Sequence, residues 1–258
     1  MSLYRFFLDE QILSSISDEV FRLELSQQDE KHARVIRLKP FEHIAIIDGS
    51  GDYFECRIER MDDEGIFVSI AQHLDAPSDE FEVILYQGLA KGERFETVLK
   101  HATELGVSAF VPLISKRCVV KLDPKKVSAK CERWRTIIRG AAKQAGLIRI
   151  PDLGEPENID GALSSLSGAD LVLICWEEAM DSMSIRAAID DAALASGARV
   201  AIVVGPEGGF SDDEVSRLLA SNDSAKLASL GPTILRTETA GIVSCALALE
   251  RLREGFDR

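Results

Sequence analysis

The rhythm of apolar and polar positions changes near residues 72–80. Before that point apolar residues come in short alternating stretches, Phe41–Asp48, Tyr53–Arg60 and Gly65–Ala71. Alternation at a period of two turns one face of a strand toward a core and the other toward water. Asp48-Gly49-Ser50-Gly51 and Asp62-Asp63-Glu64-Gly65 separate these stretches and supply turn residues. The pattern predicts a small β-barrel over residues 1–72. Asp75-Ala76-Pro77-Ser78-Asp79-Glu80 reads as a linker.

From Phe81 onward strand and helix patterns alternate. Strands are predicted near 82–87, 107–114, 170–176 and 199–204, and helices over 91–105, 124–145 and from about 184. Ala201-Ile202-Val203-Val204 is an unbroken apolar run, as in a strand buried on both faces. Lys226–Leu230 is a short strand before a helix at Thr239–Arg253 whose Ala240, Ile242, Val243, Ala246, Leu247 and Leu249 suit close packing. This order predicts a mostly parallel sheet with helices on both faces over residues 73–258. In helix 124–145, Val127, Cys131, Trp134, Ile138, Ala141 and Ala145 form a core row. Arg135, Arg139 and Lys143 recur every fourth residue on another face, without acids interleaved in the row, which suits phosphates.

Composition narrows the setting. No apolar stretch is long enough to cross a membrane, and Met1–Asp9 is too short and too soon acidic for a signal peptide. The five cysteines have no metal spacing, so reduced thiols in a cytoplasmic protein, without a metal site, are expected. A net charge of −13 argues against a polyanion partner until its distribution is considered. Residues 86–149 hold 14 Lys/Arg against 5 acids, a basic block inside an acidic chain and the electrostatic footprint expected for nucleic acid.

The candidate chemistry lies near the C-terminus. Gly205-Pro206-Glu207-Gly208-Gly209-Phe210-Ser211 follows the buried strand, and Ser211 with Glu214 predicts a capping box for the next helix. The turn therefore sits at the carboxyl edge of the sheet, where open α/β folds bind ligands. Glu207 in the turn and Asp212, Asp213 and Glu214 after it would repel phosphate and favour a ligand with cationic character, such as S-adenosylmethionine. The second segment is Leu230-Gly231-Pro232-Thr233-Ile234-Leu235-Arg236-Thr237-Glu238-Thr239-Ala240, in which Thr237 is a candidate cap and Arg236 stands in a polar cluster ahead of an apolar helix. Taken without a ligand, the cluster would be a self-capped helix start with Arg236 paired to Glu238.

These two segments resemble the RsmE-type family of ribosomal RNA uridine N3-methyltransferases, of the SPOUT superfamily. Lys31-His32-Ala33-Arg34-Val35-Ile36-Arg37-Leu38 and Asp48-Gly49-Ser50-Gly51 resemble its N-terminal region. Gln87-Gly88-Leu89-Ala90-Lys91-Gly92-Glu93-Arg94 through Ala102-Thr103-Glu104-Leu105-Gly106-Val107 resemble its central block. The resemblance implies a PUA-like barrel that assists RNA binding and a C-terminal trefoil knot. It also implies a homodimer and methylation of 16S ribosomal RNA, free or in the assembled small subunit. The donor would lie among three loops. Trp176 and Glu177 come from the first, Val204, Gly205, Glu207, Gly208 and Gly209 from the second. Leu230, Gly231, Ile234, Leu235, Thr237, Thr239 and Ala240 come from the third, with Glu177 and Glu207 contacting ribose or ammonium. Arg236 would stabilise the uridine anion, and Glu238 would act as base or orient Arg236. Contacts to RNA would come from Arg34, Arg37, Lys91, Arg94, Arg117, Arg135, Arg139, Lys143 and Arg149.

The chain departs from the family pattern at Thr233 and Leu147, where the family often carries arginine. Two other readings stay open: a SPOUT ribose 2′-O-methyltransferase, and a non-catalytic RNA-binding protein that keeps the fold.

Overall fold

The computed structural model describes residues 3–75, 81–179 and 182–256. The alternating N-terminal stretches become strands because each offers one apolar row to a shared core. They form β3 (His43–Ile47), β4 (Tyr53–Asp62) and β5 (Gly65–Leu74), and ahead of them, unmarked by the alternation, come β1 (Tyr4–Phe7), β2 (Phe21–Arg22) and α1 (Gln27–Val35). The sheet order is β1-β3-β4-β5-β2, with β1 and β3 parallel and the other neighbours antiparallel. Ile44, Ile46, Phe54, Cys56, Ile58, Ile66 and Val68 fill its core together with Phe6, Leu13 and Leu23. Asp48 locks the turn after β3: its carboxylate accepts the backbone N–H groups of Leu13 (2.9 Å), Ser50 (2.9 Å) and Asp52 (3.0 Å). Burial opposes its charge, but these bonds and the Ser50 hydroxyl outweigh that and hold the carboxyl below its usual range.

The chain divides into residues 1–78 with 146–149, and 79–145 with 150–258. The predicted division at residue 72 falls short of the end of β5, because Leu74 still pairs with Tyr53. Most of the predicted linker, 76–80, lies outside the described residues. Arg149 groups with the N-terminal unit, separately from the helix that precedes it.

The second unit begins with β6 (Phe81–Gly88), α2 (Arg94–Leu105), β7 (Ala109–Ile114), α3 (Val127–Ala145), β8 (Asp152–Leu153), β9 (Glu157–Asn158), α4 (Ile159–Leu166) and β10 (Leu171–Cys175). It continues through β11 (Met183–Ser184), α5 (Ile185–Ala192), β12 (Ala198–Val204), α6 (Asp212–Leu219), β13 (Ala225–Ser229) and α7 (Thr237–Phe256). The strand order is β11-β13-β10-β12-β6-β7-β8, β9 also pairs with β7, and every described pair is parallel. One face packs against α2, α3, α5 and α7, the other against α4 and α6. The central strands are apolar throughout because both of their faces are covered.

Two details of the helix rows differ from the sequence pattern. In α3, Cys131, Trp134, Ile138 and Ala141 are buried, but the row ends on Ala142, and Ala145 in the last turn is exposed. In α7, Leu247 is 41% exposed, while Ser244, Cys245, Ala248, Leu249 and Leu252 face inward. A helix of small residues offers no sharp apolar stripe from which to infer its inner face.

Candidate active site

Parallel pairing aligns the carboxyl ends of four strands. Gln87 on β6 is opposite Val204 on β12, Val204 is opposite Cys175 on β10, and Cys175 is opposite Ala228 on β13. The chain leaves the sheet just beyond this row, so the three loops expected to bind a ligand emerge side by side. Glycines let them close together. A Cβ on Gly88 would overlap the backbone of Gly205 and Pro206, and one on Gly209 would overlap the Glu177 carboxylate. Gly209 also has φ 65°, in the left-handed region, and its N–H donates to the Pro206 carbonyl at 2.9 Å.

Polar side chains fix the loops in place. Thr237, buried at the start of α7, donates its hydroxyl to the Gly205 carbonyl (2.6 Å) and accepts Nε2 of Gln87 (2.9 Å). Thr237 therefore joins the two motif segments, and α7 begins two residues before the predicted Thr239; the Arg236 carbonyl accepts the Ala240 N–H at 2.8 Å. Glu214 closes the expected capping box by accepting the Ser211 N–H (2.9 Å), and its other oxygen takes the Lys116 N–H (2.7 Å). Arg117 donates to the Gly208 carbonyl at 3.1 Å.

Between these loops lie two adjoining cavities. The larger, about 400 Å³, is bounded by Arg94, Cys175, Glu177, Val204, Gly205, Pro206, Glu207, Gly209 and the residues 234–238 and 240. The smaller, about 170 Å³, is enclosed by Cys175–Glu177, Ala179, Ser182, Ala228–Leu235 and Ala240. Of the residues expected to hold a donor, all but Gly208 and Thr239 line one cavity or both. Gly208 faces Arg117, and Thr239 is exposed on the outer side of α7's first turn. Arg94, Ala179, Ser182, Ala228 and Ser229 were missing from the expected lining. Arg94, expected to meet RNA, is drawn into the wall by two acids.

The charges in the larger cavity are unevenly satisfied. Glu207 accepts the Lys91 N–H at 2.8 Å and Arg94 Nη1 at 2.7 Å. Burial opposes its ionisation, yet those donors prevail and hold its carboxyl below the usual range. Arg94 also lies 3.7 Å from Glu238. The pairing of Arg236 with Glu238 is absent: Arg236 lies just before α7, and the cation beside Glu238 is Arg94. Among the described residues, Arg236 has no hydrogen-bond or ion-pair partner. Buried Glu238 Oε2 and Trp176 Nε1 likewise have no hydrogen-bond partner. Burial pushes the Cys175 thiol up to about 12, which favours the protonated form.

The other expected RNA contacts are dispersed. Lys91 and Arg117 are exposed beside the Gly205–Gly209 turn, and Arg34 and Arg37 lie exposed in the N-terminal unit. Arg135 does not belong to an unopposed cation row, for it pairs with Glu132 at 2.6 Å and Glu155 at 3.5 Å. Glu132 sits one turn back on the same face, and Glu155 reaches it from the chain after β8. Arg139 and Lys143 stand half-buried farther along α3.

Fold and site together define an RNA methyltransferase: a family model described as an RNA methyltransferase domain matches residues 77–249. Ribosomal RNA small subunit methyltransferase E of Mycobacterium bovis is 33% identical over 216 residues, covering 82% of this chain and 79% of that protein. A Legionella pneumophila methyltransferase solved with its bound cofactor SAM matches at TM-score 0.77 and 32% identity, over 97% of this chain and 98% of that one. The Neisseria gonorrhoeae ribosomal RNA small subunit methyltransferase E, bound to S-adenosyl methionine, matches at TM-score 0.76 and 27% identity, over 95% and 96%. The chain belongs to the ribosomal RNA small subunit methyltransferase E family.

Proposed function

We propose that the protein uses S-adenosylmethionine to methylate N3 of a uridine in 16S ribosomal RNA. The observation that carries this reading is the buried, unpartnered Glu238 Oε2 beside the exposed, unpaired Arg236, in one cavity at the carboxyl edge of a parallel sheet. A buried carboxylate oxygen without a donor is costly, so a ligand N–H is its expected complement.

The site suits the donor. The smaller cavity is walled by backbone and apolar side chains of the 228–235 loop, which fits an adenine, and the orphan Trp176 Nε1 awaits an acceptor there. Glu207 is committed to Lys91 and Arg94. Glu177, which borders both cavities and has no partner among the described residues, is therefore the acid available to ribose or ammonium. When bound, S-adenosylmethionine supplies an electrophilic methyl group.

The remaining chemistry belongs to the protein. Uridine N3 carries a proton at neutral pH, and while it does its lone pair is delocalised into the O2 and O4 carbonyls and is a poor nucleophile. Glu238 Oε2 accepts the N3–H as a hydrogen bond, orients the ring and takes the proton, becoming the carboxylic acid. Arg236, unpaired, faces the charge that spreads onto O2 or O4 as the proton leaves and stabilises it. Arg94 positions Glu238 against the Gly205–Gly209 turn. We further propose that the N-terminal sheet is PUA-like, that the chain beyond β12 is knotted and that the protein is a homodimer; Ile234, 83% exposed at the cavity rim, suits coverage by a second copy.

Calorimetry and single-turnover methylation on Arg236→Ala test the assignment. Donor affinity should stay within a few-fold while the methylation rate falls by about 10²–10³. Equal losses in both would make Arg236 a donor-binding residue and remove it from the chemistry.

A further inference from the structure

Phe41, in the loop between α1 and β3, breaks two rules at once. It is 72% exposed, and its φ of 70° lies in the left-handed region that a bulky side chain occupies at a cost. Arg37, four residues earlier, has φ 58°. The loop is held open by defined bonds: the Phe41 N–H donates to the Ile58 carbonyl at 2.7 Å, and the Lys39 N–H donates to Glu42 at 3.0 Å. A phenylalanine that gains nothing from burial and strains its backbone has no evident role in stability.

Its surroundings indicate what it meets. Parallel pairing sets Tyr4 opposite Ile44, three residues beyond Phe41, so a second exposed aromatic, Tyr4 at 52%, comes to the same end of the sheet. Lys31, Arg34, Arg37 and Lys39 are all exposed, and their side chains have no partner among the described residues. The nearby acids are engaged, Glu30 with Arg22 at 3.4 Å and Glu42 with the Lys39 N–H. In a chain of net charge −13, this local cationic stretch with aromatic faces is complementary to one class of polyanion.

We propose that Phe41 and Tyr4 form a stacking platform for unpaired RNA bases, with Lys31, Arg34, Arg37 and Lys39 holding the phosphates on either side. Flat rings stack on bases of any identity, and cations beside them anchor the backbone, which is how single-stranded segments are held. A duplex keeps its bases stacked on one another and offers the platform only phosphates. The inference rests on the RNA-methyltransferase reading and adds a preference for a single-stranded segment near the target.

The test uses the full chain and two fluorescent probes, a short unpaired RNA and a duplex of the same strand. Phe41→Ala should weaken the unpaired RNA about tenfold, leave the duplex within about twofold, and leave S-adenosylmethionine affinity unchanged. Phe41→Trp should restore the unpaired RNA. Phe41→Gly relieves the strained backbone, so its melting temperature should hold or rise by about a degree or two while RNA affinity falls. Equal losses on both probes, or no loss on either, would overturn the platform, as would a marked drop in melting temperature for Phe41→Gly. If the wild type binds neither RNA, the platform is overturned, whereas the methyltransferase reading fails separately, on the absence of methylated nucleoside from small-subunit ribosomal RNA.

Discussion

Glu207 and Arg236 show how differently a charged side chain can be used within one cavity. Glu207 was legible as a carboxylate beside glycines, but not as a brace, because its partners Lys91 and Arg94 lie more than a hundred residues away in sequence. Arg236 was legible as an arginine out of place between apolar runs, and it is the unpaired one. Glu207 also sets a pH dependence. Its folded carboxyl titrates below its unfolded value, so its contribution is complete above the ordinary carboxylate range and disappears as pH falls through the depressed folded value. Melting curves should therefore show Glu207→Gln less stable than the wild type at pH 7, with the gap closing only in strong acid. A gap that narrows instead as pH rises above neutrality would contradict the brace. Glu238→Gln keeps the shape but loses the acceptor charge. Its rate should drop by about tenfold or more with donor affinity preserved, measured by single-turnover methylation and calorimetry.

At the scale of elements, β10 and β12 beneath the site were plain in the sequence because both of their faces are buried. β8, β9 and β11, two residues each, were invisible, since a two-residue strand has no period to detect. Also hidden was the Gln87–Thr237–Gly205 chain, in which a polar residue ending an apolar strand meets the first residue of the last helix across 150 positions. Thr237→Val keeps the shape of the side chain but leaves the Gly205 carbonyl without the hydroxyl and Gln87 Nε2 with only the long 3.4 Å bond to the Gly88 carbonyl. It should cost about 1–3 kcal/mol and be visible as a lower melting temperature. Gly88→Ala would press on the backbone of Gly205 and Pro206, which has no flexible end to yield. Donor affinity should fall at least about tenfold by calorimetry, and an unchanged value would mean that the two turns do not need to touch.

Across the whole molecule, the division into a smaller, mostly antiparallel sheet and a larger parallel one followed from the change in apolar rhythm. The assignment of residues 146–149 to the first unit did not, because four residues of mixed character carry no signal of the unit they join. Charge distribution was legible only in outline. The basic block exists in sequence, but acids from elsewhere in the fold take up Arg94 and Arg135. Fewer free cations should mean a shallower salt dependence of RNA binding than the count of 14 suggests, read as the slope of affinity against salt. The central claim is that this cavity delivers a methyl group to a uridine ring nitrogen. Its most direct test is mass spectrometry of nucleosides from small-subunit ribosomal RNA, isolated and assembled, after incubation with the protein and S-adenosylmethionine. The account predicts 3-methyluridine from the wild type and almost none from Arg236→Ala. A ribose-methylated nucleoside, or equal 3-methyluridine from both proteins, would contradict it.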